Sequence, residues 1–125
     1  MAVDLSTVDT LQQALTYHRE RHTVLAGNVA NLDTPGYRPM DLNRAAASDA
    51  PALAMTGEGQ IATSPSTELV TSFDDGGAMQ SADGNAVSLE RELAKIDANR
   101  TRYAASSELV TRRLALLRYA AGDGT

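Results

Sequence analysis

Side chains that recur at alternating spacings of three and four residues dominate both ends of this sequence, and that recurrence limits the ends to helices that pack lengthwise. In the first stretch Val8, Leu11, Leu15, His18, His22, Leu25, Val29 and Leu32 follow one another in this way, with two histidines among six apolar residues. Such a heptad seam runs along one side of an α-helix. It predicts a helix from about Ser6 to Leu32, roughly 40 Å long. Ser6, followed by Asp9, is the expected N-cap, because a short side-chain oxygen can accept a bond from an orphan N–H of the first turn. The last stretch repeats the pattern in Ala86, Leu89, Leu93, Ile96, Arg100, Tyr103, Ser107, Val110, Leu114, Leu117 and Ala121, interrupted at Arg100 and Ser107. It predicts a second helix of about 35 residues, roughly 50 Å. Asn85 or Ser88 is its expected cap, Glu108 and Arg112 form an i, i+4 pair, and Gly122 stands near its stop.

Residues 39–84 behave differently. They hold seven acids and one base, whereas residues 1–38 hold four and three and residues 85–125 five and seven. Their apolar side chains, Met40, Leu42, Leu53, Met55, Ile61, Leu69, Val70, Phe73 and Met79, keep no helical period, and Gly57, Gly59, Pro65, Gly76, Gly77 and Gly84 punctuate them. Thr67–Phe73 has some strand character. The expected fold is therefore mainly α: long N- and C-terminal helices paired as an antiparallel, coiled-coil-like hairpin. An extended or hairpin-like, partly irregular middle segment joins them. The chain reads as one unit over 1–125, made of the first helix and its turn (1–38), the middle (39–84) and the second helix (85–125).

A narrow seam is sheltered only by another helix, and two helices alone leave most of each surface wet. At about 25 cal/mol per Å² of apolar area, one interface hardly offsets roughly 1 to 2 kcal/mol of backbone entropy per residue. Much of the apolar content is alanine, there is no Trp, and Phe occurs once. Small side chains such as Ala26, Ala30, Ala94, Ala98, Ala104 and Ala105 also let helices approach closely. The seam residues Val8, Leu11, Leu15, His18, His22, Leu25, Val29, Leu32, Leu89, Leu93, Ile96, Tyr103, Val110, Leu114 and Leu117 are thus the expected helix-packing interface, completed by neighbouring molecules.

Several functions are excluded. The absence of cysteine removes thiolate catalysis and thiol metal sites. A net charge of −5 argues against a phosphate-tracking surface. The apolar runs fall far short of the roughly 20 residues a membrane-spanning helix needs. The first residues carry neither a basic n-region nor an apolar h-region, so no cleavable secretion signal is expected. His18 and His22 stand at i and i+4 in the string HRERH, but the glutamate is misplaced for a metalloprotease helix and a third ligand is not evident. They read as a polar interruption of the seam; packed between helices, protonation near pH 6 would place two charges there. Asp74-Asp75-Gly76-Gly77 lacks the alternating ligands and closing glutamate of a calcium loop and reads as a solvated turn. No catalytic constellation, metal site or cofactor site is expected.

The most specific stretch is NVANLDTPGYR, Asn28 to Arg38. Pro35 and Gly36 suit the second and third places of a type II turn, because proline pre-sets φ and glycine accepts φ > 0. Asn28 and Asn31 can bond to local backbone, Asp33 or Thr34 can bond across the turn, and Tyr37 can fold back over the helix end. Asn28, Ala30, Asn31, Thr34, Pro35, Gly36 and Tyr37 together resemble the signature of the flagellar basal-body rod family, which includes rod, hook and hook-associated axial proteins. The C-terminal residues from Asn85 to Lys95, then Tyr103-Ala104-Ala105 and Leu114 to Arg118, are similar to those of its proximal-rod branch.

What the resemblance implies is a structural, non-enzymatic subunit of the rod whose terminal helices pack into a helical tube, transmitting torque and surrounding the export channel. It further implies passage through the flagellar type III export channel without a cleaved signal peptide, and residence in the periplasmic rod of the basal body. Its implied partners are other copies of itself, other flagellar rod subunits, the small rod adaptor, the membrane-ring protein and the export gate. No nucleic acid and no small-molecule substrate are expected. The competing reading is an independent helical binding module, such as an export chaperone or regulator.

Overall fold

A computed structural model describes residues 5–44, 69–74, 84 and 86–122. In chain order the elements are α1 (Ser6–Ala30), β1 (Met40–Arg44), β2 (Leu69–Phe73) and α2 (Leu89–Gly122). The fold is mainly helical, as the two seams demand. The helices run antiparallel: Asn28 near the end of α1 meets Glu92 near the start of α2, and His18, about three turns back along α1, meets Asn99, about two turns on along α2. At 25 and 34 residues the helices differ in length, and α2 continues past the start of α1.

The start of α1 departs from the expected cap, whereas Ser88 stands at the cap position of α2, directly before Leu89. Leu5 already has helical dihedrals and occupies the cap position of α1, with no side-chain cap bond. Ser6 is therefore inside the helix, where its carbonyl accepts the Thr10 hydroxyl at 2.9 Å. At α2 the Ser88 hydroxyl donates to Glu90 Oε2 at 3.2 Å, while its carbonyl accepts the Glu92 N–H at 3.0 Å. Asn85 lies outside the described residues. The Glu108–Arg112 pair forms, at 2.7 Å, on an exposed face.

α1 ends at Ala30, two residues before the seam does, because Asn31 N–H turns to the carbonyls of Gly27 and Asn28 and the Leu32 N–H to that of Val29. The chain then closes the turn expected of Pro35-Gly36. Tyr37 N–H donates to the Thr34 carbonyl at 3.2 Å, and Gly36 sits at φ +71°. That φ marks the third place of a type II turn, which only glycine adopts without strain.

The strands pair antiparallel, Met40 opposite Phe73 through Arg44 opposite Leu69, and Asp74 N–H extends the ladder to the Pro39 carbonyl at 2.8 Å. β2 falls within the stretch with strand character. β1 was not expected, since MDLNR alternates apolar and polar residues for only five positions. Leu42 is its buried residue. The remaining middle positions singled out in the sequence, from Leu53 to Pro65 and from Gly76 to Met79, lie outside the described residues.

Candidate assembly face and the Asn28 junction

Asn28 is fully buried, and its amide exhausts its hydrogen-bonding capacity. Nδ2 donates to the Met40 carbonyl at 2.7 Å and to Glu92 Oε2 at 2.8 Å. Oδ1 accepts from the Met40 N–H at 3.0 Å and from the Tyr37 hydroxyl at 3.2 Å. The side chain thus pairs with both backbone groups of Met40, as a neighbouring strand would. One residue joins the end of α1, the turn, β1 and the start of α2. The local backbone bonding expected of Asn28 therefore belongs to Asn31 alone, whose Nδ2 donates to the Gly27 carbonyl at 2.8 Å.

The rest of the motif builds around this junction. Thr34 Oγ1 donates to Asn31 Oδ1 at 3.2 Å, and the Tyr37 ring returns over the helix end. Ala30, Thr34, Pro35 and Gly36 are exposed. The strand leading into α2 docks here: Ala86 N–H reaches the Tyr37 carbonyl at 3.3 Å. Gly84, at φ +79°, passes so close that a Cβ placed on it would lie 3.6 Å from Gly36 Cα.

Charge surrounds the junction. Glu92, 1% exposed, is held by Asn28 and by Lys95 at 2.6 Å. Lys95 also bridges to Asp74 at the end of β2, which Arg91 contacts at 2.9 and 3.0 Å. Asp74 thus serves as a cation-paired tether rather than the solvated turn residue expected. On the other flank Arg21 grips Asp41 through two bonds of 2.7 Å. Burial pushes the Asp41 carboxyl up, but the Arg21 hydrogen bond and charge, the Leu42 N–H and the Lys95 charge together hold it below the usual carboxylate range. The Asp41 hydrogen bond and charge outweigh burial to raise Arg21.

The seam residues divide into two sets. Val8, Leu11, Leu15, His18, Leu25, Val29 and Leu32 on the first side and Ile96, Val110 and Leu117 on the second are buried or half-buried. His22, Leu89, Leu93, Tyr103 and Leu114 are exposed, Leu93 by 51% and Leu114 by 49%. On α2 the more buried face is Glu92, Ile96, Asn99, Ser106, Val110, Arg113 and Leu117. It keeps Ile96, Val110 and Leu117 of the seam and adds Glu92, Asn99, Ser106 and Arg113, each a polar residue one position before a seam residue. On α1, Ala14, Arg21 and Asn28 likewise supplement the line of Leu11, His18, Leu25 and Leu32.

The hairpin is the physical reason. β1 lies along α1, with the Tyr17 hydroxyl on the Leu42 carbonyl at 3.0 Å, Arg21 on Asp41 and Asn28 on Met40. The wedge between β1 and α2 therefore takes in the polar flank of both helices. Only one histidine belongs to the helix pair, His22 being exposed. His18 Nδ1–H donates to Asn99 Oδ1 at 2.8 Å, Asn99 Nδ2 donates back to the His18 carbonyl at 2.7 Å, and Tyr17 stacks edge-on against the imidazole. Among the described residues no His, Cys, Asp and Glu group is arranged to hold a metal ion, and no helix is long and apolar enough to cross a membrane.

The outward apolar set is longer than the seam. Leu109, Leu116 and Tyr119 are 53%, 61% and 71% exposed on α2, next to the exposed Leu114. Polar groups are thus turned inward while leucines stay exposed along the longer helix.

Known proteins are similar to this chain in sequence. Flagellar basal body rod protein FlgB of Escherichia coli (strain K12) is 35% identical over 107 residues, which span 74% of this chain and 75% of that protein. The chain belongs to the FlgB family of flagellar basal-body rod proteins. FlgB of Aquifex aeolicus is 33% identical over 97 residues, 77% of each chain, and FlgB of Aeromonas hydrophila 29% identical over 109 residues, 82% of this chain and 83% of its own. No family model matches.

Sequence reasoning singled out the turn motif but not the residues it engages. Glu92, Asn99, Arg21, Asp41, Asp74 and Lys95 are charged or amide side chains among many that face solvent. The available signal was their spacing: Glu92 and Asn99 stand one heptad apart, as do Arg21 and Asn28.

Proposed function

We propose that this chain is a structural, non-catalytic subunit of the flagellar basal-body rod. It packs through its terminal helices against copies of itself and other rod subunits to form a helical tube that transmits torque and surrounds the export channel. The carrying observation is the exposed apolar flank of α2, Leu89, Leu93, Tyr103 and Leu114, in a chain of FlgB kinship. These side chains contribute little to the solitary chain, and their burial needs a neighbour. At about 1.5 to 3 kcal/mol for each fully buried leucine, a few such contacts outweigh the cost of ordering helix ends.

In this reading the chain travels through the type III export channel without a cleaved signal and assembles in the periplasmic rod. It meets the small rod adaptor, the membrane-ring protein and the export gate there. The turn motif Asn28, Ala30, Asn31, Thr34, Pro35, Gly36 and Tyr37 acts as the junction that fixes the helix ends relative to one another. The predicted seam acts half within the chain and half between chains.

The test is complementation of a motile strain that lacks its own copy, using Leu93→Glu and Leu114→Glu together. The doubly substituted chain should keep the helix content and thermal midpoint of the parent yet fail to restore rods or swimming. Restored swimming would overturn the assembly face. Restoration failing for the unsubstituted chain in its own host would overturn the rod reading itself.

A further inference from the structure

The β1–β2 hairpin is fastened to the helices in an unusual way. Val70 and Phe73 are 43% and 57% exposed, and β2 turns no fully buried side chain toward the helices. β1 supplies Leu42, with Pro39 just before it, as buried apolar residues. Otherwise the attachment is polar. Asp41 is gripped by Arg21 of α1, and Asp74 at the end of β2 by Arg91 and Lys95 of α2. The Tyr17 hydroxyl and the Asn28 amide bond to the backbone of Leu42 and Met40.

We propose that the hairpin is an electrostatic strap, latched to the helix pair by Asp41 and Asp74 and released as a unit, before the helices separate, when those carboxylates lose their charge. The inference stands on the described contacts and does not depend on the rod reading. Release uncovers the flank of α1 formed by Tyr17, Arg21 and Asn28, which β1 otherwise covers. The charged groups facing Asp41 are Arg21 from α1 and Lys95 from α2, and Arg21 is in turn faced by Tyr17 of α1 and by Asp74 at the end of β2. Those facing Asp74 are Arg91 and Lys95, with Glu92 sharing Lys95. Arg44 lies over the Tyr17 ring at 4.8 Å, a contact between β1 and α1 that release must break, whereas Arg38 over Phe73, at 4.2 Å, does not join the hairpin to either helix.

The direction in pH follows from Asp41. Its folded carboxyl lies below the ordinary value, so its stabilisation is present above the unfolded pKa and lost as pH falls through the folded one. The strap is thus closed near neutrality and opens below about pH 4.

Amide hydrogen exchange of the intact chain, read residue by residue and corrected for intrinsic rates, tests this. Between about pH 7 and pH 2.5, protection of the ladder amides in Met40–Arg44 and Leu69–Phe73 should fall about tenfold or more beyond any fall in the middles of α1 and α2. Asp41→Asn with Asp74→Asn should produce the same selective loss at neutral pH and flatten its pH response. Ladder and helix amides losing protection together in the unsubstituted chain, or a ladder that stays protected throughout, would overturn the strap. So would full ladder protection in the folded double variant; the titration of the unsubstituted chain decides the matter if that variant fails to fold.

Discussion

Replacing Asn28 by leucine keeps the branching at Cγ, puts two bulkier methyls in place of the amide and removes four hydrogen bonds at once. The Met40 N–H and carbonyl lose their partner, Glu92 loses one of its two, and the Tyr37 hydroxyl loses its acceptor. Tyr37 is half-exposed and can turn to water, so its share is small. Glu92 is a buried carboxylate that keeps only Lys95, and each buried group left unsatisfied costs about 1 to 3 kcal/mol. The sum is about 3 to 5 kcal/mol, a large part of the 5 to 15 kcal/mol that holds a typical domain together. At about 4 °C per kcal/mol the thermal midpoint should fall by roughly 15 °C. Asn28→Asp separates the electrostatic part from the shape. It retains an acceptor for Tyr37 and Met40 but sets a second carboxylate against Glu92, where the two oxygens replace a donor–acceptor pair of 2.8 Å. Burial and the neighbouring charge raise the pKa of the new group, so its penalty is present at neutral pH and fades as pH falls through that raised value. Urea unfolding followed by far-UV circular dichroism should therefore show the gap between Asn28→Asp and the parent narrowing from about pH 7 to pH 5. A gap that stays constant over that range, or an Asn28→Leu chain within about 0.5 kcal/mol of the parent, would refute the junction.

Arg21→Met leaves Asp41 largely buried without its guanidinium and should cost about 2 kcal/mol at neutral pH, with a shallower loss of stability on acidification below about pH 4 than the parent shows, measured by urea unfolding at several pH values. Gly36→Ala meets open space, so its cost is confined to the backbone at φ +71° and should be about 1 kcal/mol in the thermal midpoint. The two histidines should separate cleanly in chemical denaturation: Asn99→Ala, which strips His18 of its partner, should cost about 1 to 2 kcal/mol, whereas the exposed His22→Ala should stay within about 0.5 kcal/mol.

Helices and turn were legible because their causes are local. A seam of leucines at helical spacing stabilises one backbone conformation wherever it is placed, and Pro35-Gly36 closes its turn from the φ preferences of the two residues alone. The same reading missed β1, because a five-residue strand gains its ladder from Leu69–Phe73 across more than twenty intervening residues. It also put all of Leu93, Leu114 and His22 into one continuous helix contact. Spacing ranks residues by hydropathy and has no term for a hairpin that occupies one flank of α1.

The sequence by itself determined two long helices, the place where the first one stops, and the conformation of the turn that follows. The tertiary structure decided which side of each helix is turned inward, that Asn28 bonds to Met40 and Glu92 rather than to its own helix, and which leucines are left outside. The physical reason is range: periodicity and φ preferences act within a few residues, whereas the inward face is chosen by three elements competing for one surface. Buried amides and carboxylates prevail there once each finds its partner.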